Sequence, residues 1–223
     1  MLIKVCGMRE AENIRAVEAV LAETQQPVWM GFIFYKPSKR YCAERPDYLP
    51  QACKRIGVFV DEEVPEVVRR VREFGLHGVQ LHGNEDRLYV MQLRQALSQM
   101  RNEEGESAAD WGRMVIKAVA VHTAADLQQC EPLVGFVDYF LFDTPTPGKG
   151  GSGKSFDWSV LGQYRLMTPF LLSGGIGPDS IAALRQLDHP CWEGIDLNSR
   201  IESAPGVKDI RLLREFLVEF TKV

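Results

Sequence analysis

The tightest constraint on the fold is a regular alternation. Short runs rich in Val, Ile, Leu and Phe recur along the chain, each followed by a segment whose apolar residues fall at helical spacing. Most of the runs lack a polar-out alternation, the pattern of strands covered on both faces in a parallel sheet. Strands are expected at residues 3–7, 29–34, 55–60, 78–82, 115–121, 139–142, 170–172 and 194–197. Between them the periodicity predicts helices over 12–23, 64–74, 85–100, 123–130 and 178–187. A weaker helix is expected over 46–54, a short one from near Asp157, and a closing amphipathic helix over 209–220. The polar stretch 102–110 reads as a loop insertion.

Eight strand–helix units at roughly 28 residues each are what a (β/α)8 barrel needs. An open doubly wound sheet alternates in the same way but seldom needs so many units, and regularity to the last segment favours closure. The expected fold class is therefore α/β, a single-domain (β/α)8 TIM barrel over residues 1–223. No linker divides the chain, because the richest Gly/Pro/Ser stretch, 145–155, sits between a strand and a helix, where a functional loop belongs.

Charge narrows the ligands. Lys and Arg number 26 against 30 Asp and Glu, a net charge of −4, so there is no basic field for a nucleic-acid backbone or an acidic membrane surface. An anionic ligand has to be held by local groups. The cysteines, Cys6, Cys42, Cys53, Cys130 and Cys191, are odd in number and form no C-x-x-C pair, which points to a reducing cytoplasmic compartment. The opening residues reach Cys6 and Gly7 before a signal-like apolar core could form, and no run approaches the ~18 apolar residues of a membrane span. Neither export nor membrane insertion is expected.

In a barrel of this kind chemistry sits at the C-terminal ends of the strands. The residues there are Cys6 and Gly7; 35–40; Asp61; Gln80 and His82; His122; Asp143; 173–175; and 196–199. Cys6 and Asp143, on different strands, could form a base and acid pair, and glycine-rich turns follow the seventh and eighth strands, where barrels often hold phosphate. Each residue also has a plainer reading. Cys6 could be a small buried apolar group, Asp143 a turn former, and His82, His122 and Asp196 ordinary hydrogen-bonding groups. Arg40, inside Lys36-Pro37-Ser38-Lys39-Arg40-Tyr41, could be a solvated cation or an anion clamp. No pair has the spacing of a metal site. Residues 148–155 match G-x-x-x-x-G-K-[ST], but 143–147 separate them from the strand and Phe156-Asp157-Trp158 follows, so a lid over a substrate is favoured over a nucleotide-binding loop.

Taken together, several stretches resemble the phosphoribosylanthranilate isomerase family of tryptophan biosynthesis. They include Lys4-Val5-Cys6-Gly7-Met8, Gly31-Phe32-Ile33-Phe34 with Ser38-Lys39-Arg40-Tyr41, Gly57-Val58-Phe59-Val60, and Val79-Gln80-Leu81-His82-Gly83. Later come Phe142-Asp143-Thr144, Gly150-Gly151-Ser152-Gly153-Lys154, Leu172-Ser173-Gly174-Gly175, and Gly194-Ile195-Asp196-Leu197-Asn198-Ser199 with Glu202, Pro205-Gly206 and Lys208-Asp209.

The resemblance implies a barrel that needs no cofactor and no metal, and an Amadori rearrangement of N-(5-phosphoribosyl)anthranilate. It implies Asp143 as general acid and Cys6 as general base. It also implies Arg40 at the anthranilate carboxylate, phosphate on the backbone around Gly174, Gly175, Asn198 and Ser199, and Gln80, His82 and Asp196 lining the pocket without an assigned step. The implied partner is a phosphorylated small molecule, with the chain a monomer or homodimer. Two positions depart from the family pattern: Arg9 stands where Thr is frequent, and Arg200 where the family has a small residue.

Overall fold

The computed structural model describes residues 1–104, 113–143 and 158–222, and of 101–104 the helical backbone only. Eight parallel strands close into a barrel in chain order: β1 (Leu2–Cys6), β2 (Val28–Ile33), β3 (Lys54–Phe59), β4 (Gly78–Leu81), β5 (Met114–Ala120), β6 (Tyr139–Asp143), β7 (Phe170–Ser173) and β8 (Trp192–Leu197). β1 pairs on one side with β2, Cys6 opposite Gly31, and on the other with β8, Lys4 opposite Asp196.

Alternation along each strand sorts the side chains into two sets. One set, including Ile3, Val5, Phe32, Phe59, Val79, Val119, Phe140, Phe142, Phe170 and Ile195, joins the large apolar core that packs under the surrounding helices. The other set faces the barrel interior. At the level where the strands begin it is apolar, a separate cluster of Leu2, Trp29, Ile56, Ile116, Leu141 and Leu171. Two or more residues further along the same faces come Lys4, Cys6, Gln80, Asp143, Ser173 and Asp196. The strands look apolar throughout in sequence because both faces are buried; the polar residues mark where the interior opens.

α1 (Ala11–Ala22), α2 (Val64–Phe74), α3 (Arg87–Glu104), α4 (Ile181–Leu184) and α5 (Ile210–Phe220) cover the barrel. α2 has the expected bounds for visible reasons: Pro65 occupies its first turn, and Gly75 ends it at φ 56, a left-handed conformation that glycine adopts without strain. α5 is capped by the Asp209 carboxylate, which accepts from the Leu212 N–H at 3.0 Å.

Several expected helices are not α-helices. Residues 46–54 form no helix. Pro46 and Pro50 lack the N–H groups a helix needs, and the segment is held instead by Glu18 of α1, whose Oε1 accepts the Gln51 and Ala52 N–H groups at 2.6 Å while Oε2 accepts the Tyr48 hydroxyl. Glu18→Ala would leave these donors without their acceptor and is expected to destabilise the protein by about 1–3 kcal/mol. Urea unfolding measures it, and an unchanged midpoint would mean the connection does not depend on Glu18. Ala124–Leu133 and Trp158–Gln163 are 3-10 segments; Pro132 lies inside the first. The segment expected over 178–187 is a 3-10 turn, Pro178–Ser180, and the single α-turn of α4. α3 runs on through Glu104, beyond its expected end, so residues 102–104 are helix, not loop. The remainder of the 102–110 insertion, like the 145–155 loop and the 148–155 glycine motif, lies mostly or wholly outside the described residues. A two-stranded hairpin, β9 (Glu202–Ala204) with β10 (Val207–Lys208), has no counterpart in the sequence reading.

Candidate active site

At the C-terminal mouth of the barrel a cavity of about 370 Å³ opens, and every residue singled out in the sequence for catalysis or binding lines it: Cys6, Arg40, Gln80, His82, Asp143, Gly174, Gly175, Asp196, Asn198 and Ser199. Of the wider strand-end set, His122 and Asp61 are among those that do not line it. His122 is exposed beside Asp126, at 3.9 Å, and the Asp61 carboxylate accepts from the Asn84 N–H and side-chain amide.

Cys6 stands at the end of β1, buried, with Lys4 two residues earlier on the same inward face. Lys4 is fully buried, and its Nζ is 2.8 Å from the Asp196 Oδ1 across the β1–β8 pairing. Burial works against the Lys4 charge, but Asp196 and Cys6 beside it outweigh burial and hold its pKa above the ordinary lysine value. The Cys6 thiol is pushed up by burial, pulled back by Lys4 and Lys208, and pushed up again by Asp196; the net direction is upward from 9.0. Space for this arrangement comes from Gly31, where a Cβ would lie 2.7 Å from the Cys6 Sγ and 3.2 Å from the Lys4 Nζ. Gly7 turns the chain away at φ 82, and a Cβ there would meet Arg40 Cδ at 2.8 Å and Asn198 Oδ1 at 2.9 Å.

Arg40 enters the cavity already engaged. Its Nε and Nη2 donate to the carboxylate of Glu202 on β9, which also accepts from the Lys208 Nζ at 2.7 Å and the Gly206 N–H at 3.1 Å. Burial opposes the Glu202 charge, but the hydrogen bonds from Arg40 and Lys208 bring its pKa below the ordinary value. Lys208, also buried, donates to Asn198 Oδ1 at 2.9 Å and so ties the hairpin to the turn after β8. Its pKa is lowered, chiefly by burial. Glu202 and Lys208 were visible in sequence only as motif matches, since strands of three and two residues carry no periodic signal.

Across the cavity, β6 presents Asp143, with Oδ2 3.4 Å from the His82 Nε2. After β7 the chain turns through Gly174 and Gly175 at φ 92 and 68. Together with Asn198 and Ser199 after β8 they line the cavity, as does Arg200, which is paired with Asp179 at 2.6 Å. Ile33, Tyr35, Val58 and Val60 also contribute to the lining, and Arg40 comes close to Asn198, since a Cβ on Gly7 would meet both. Arg9 takes no part in the cavity lining and packs over Gly206.

Such a lining offers backbone N–H groups for an anion, a guanidinium for a second negative charge, apolar side chains for a flat ring, and a thiol and a carboxyl in the same cavity. Among the described residues no group of three His, Cys, Asp or Glu could hold a metal ion, and no helix is long and apolar enough to cross a membrane.

A family model described as N-(5'phosphoribosyl)anthranilate (PRA) isomerase matches residues 3–219. A relative named N-(5'-phosphoribosyl)anthranilate isomerase from Phocaeicola vulgatus is 47% identical over 217 residues, covering 97% of this chain and 96% of its own length. Among solved structures, phosphoribosyl anthranilate isomerase from Thermotoga maritima superimposes with a TM-score of 0.75 at 28% identity, all of both chains being covered. A second crystal structure, of phosphoribosyl anthranilate isomerase in complex with reduced 1-(o-carboxyphenylamino)-1-deoxyribulose 5-phosphate, has a TM-score of 0.71 at 27% identity, again over the whole of both chains.

Proposed function

The chain belongs to the N-(5'-phosphoribosyl)anthranilate isomerase family of tryptophan biosynthesis, and from that premise we propose that its 223 residues act as one barrel domain in which Asp143 is the general acid and Cys6 the general base of the Amadori rearrangement. The observation that carries the assignment is that a thiol from β1 and a carboxyl from β6 line one cavity together with paired glycines, a guanidinium and apolar side chains.

Phosphate sits on Gly174, Gly175, Asn198 and Ser199, where successive left-handed glycines turn the backbone into a concavity suited to an anion. This solves the charge problem of a chain with net charge −4, because backbone dipoles act locally and need no basic surface. The anthranilate ring lies against Ile33, Val58 and Val60 with its carboxylate toward Arg40. Asp143 protonates the furanose ring oxygen, the C1–O bond breaks toward that oxygen, and the anilino nitrogen lone pair forms the iminium. Cys6 then removes the C2 proton, leaving an enolamine that tautomerises to the ketone of 1-(2-carboxyphenylamino)-1-deoxy-D-ribulose 5-phosphate. The iminium adds a cation near a thiol that already faces Lys4, which favours thiolate at the step that needs it.

The test is anthranilate fluorescence during incubation of purified protein with phosphoribosylanthranilate, without metal or nucleotide. Consumption of substrate is expected, and its absence would refute the assignment. Arg40→Ala is expected to raise KM by ~10-fold or more with a smaller change in kcat, since a carboxylate clamp binds ground and transition states alike. An unchanged KM would place the carboxylate elsewhere. Glu202 stays partnered by Lys208 in that variant, so the loss reads binding and not folding.

A further inference from the structure

His82 is the neighbour of Asp143, and its two ring nitrogens face different groups. Nε2 is 3.4 Å from the Asp143 Oδ2, and Nδ1 is 2.9 Å from the Gln80 Nε2. Gln80 is 1% exposed, and its Oε1 is buried with no hydrogen-bond partner among the described residues. An amide can be turned end for end. Here turning it would bury an unpartnered NH2 in place of an unpartnered oxygen, and orphaned N–H groups are the rarer of the two. The amide nitrogen therefore stays on the ring.

An amide NH2 only donates, so Nδ1 has to accept, and the single proton of the neutral imidazole sits on Nε2, the nitrogen 3.4 Å from the Asp143 Oδ2. With Nδ1 accepting the Gln80 N–H, the neutral ring keeps its own N–H on the side of Asp143.

We infer that Gln80 is a positioning residue for the acid: by donating to Nδ1 it holds His82 as the Nε2–H tautomer, so that the His82 N–H stabilises the Asp143 carboxylate once its proton has gone to the ring oxygen. The inference rests on Asp143 being the acid. The atoms balance without another reagent: the proton leaves Asp143 for the ring oxygen, and His82 keeps its own proton throughout.

The isosteric Gln80→Glu change tests it, because a carboxylate at that place can only accept and would call a proton onto Nδ1. Protein labelled with 15N-histidine, with His82 assigned through His82→Asn, gives the tautomer by NMR. A neutral Nε2–H ring is expected in the wild type, and a ring protonated at Nδ1 in Gln80→Glu. The kcat of Gln80→Glu is expected to fall ~10-fold or more with KM within about twofold, because the proton is misplaced while binding is kept. A wild-type His82 carrying a proton on Nδ1, or Gln80→Glu turning over like wild type, would overturn the inference. Failure of the underlying assignment looks different: Asp143→Asn would be active while the His82 spectrum still showed the Nε2–H tautomer.

Discussion

Asp143→Asn is expected to lower kcat by ~10²–10⁴-fold, the usual worth of a general acid, with KM little changed. The substitution keeps size and shape and removes only the proton that the ring oxygen has to receive. Asp143 ends β6 with its backbone in register with Ala120 and Ser173, and among the described residues the one side chain at ion-pair distance from its carboxylate is His82. Nothing in that environment makes the barrel depend on the carboxylate, so the circular dichroism and unfolding midpoint should match wild type. Steady-state fluorescence kinetics supply the check. Turnover at the wild-type rate would remove Asp143 from the acid's role, and loss of fold together with activity would leave the residue structural.

Cys6→Ala is expected to abolish turnover to a similar degree, because alanine fills the buried position at the end of β1 but has no lone pair for the C2 proton. Substrate should still bind, since Arg40 and the glycine turns are untouched. The burial of Cys6 has a second, directional consequence. Burial holds the Cys6 pKa above 9.0 although Lys4 and Lys208 pull it down. A raised thiol pKa means that thiolate is scarce at neutral pH and increases as pH rises, so alkylation of Cys6 by iodoacetamide, followed by mass spectrometry of its peptide, should accelerate through pH 9 and beyond. Lys4→Met removes the nearest cation and should slow alkylation at every pH. A rate that levels off near neutrality would show an already ionised thiol and contradict the burial that the structure gives it.

The parallel barrel was legible because strands buried on both faces leave short runs that are apolar throughout, and because helix-period segments separate them at regular intervals. The helix expected at 46–54 was not, because its true anchor, Glu18, lies on another element and pairs with it only after folding. In the same way Cys6 and Asp143 could be named from their motifs, yet the hairpin that grips Arg40 through Glu202 is too short to have a pattern of its own.

By itself, then, the sequence determined the alternation, the closure into a barrel and the set of residues at the strand ends, since those follow from local periodicity and from which end of a strand a residue occupies. Only the tertiary structure decided how those residues act on one another. It set Lys4 against Asp196 and Cys6, Glu202 against Arg40, and Gln80 against His82. These interactions are set by distances of a few ångströms between residues up to 192 positions apart, and at that range burial and charge determine where a proton resides.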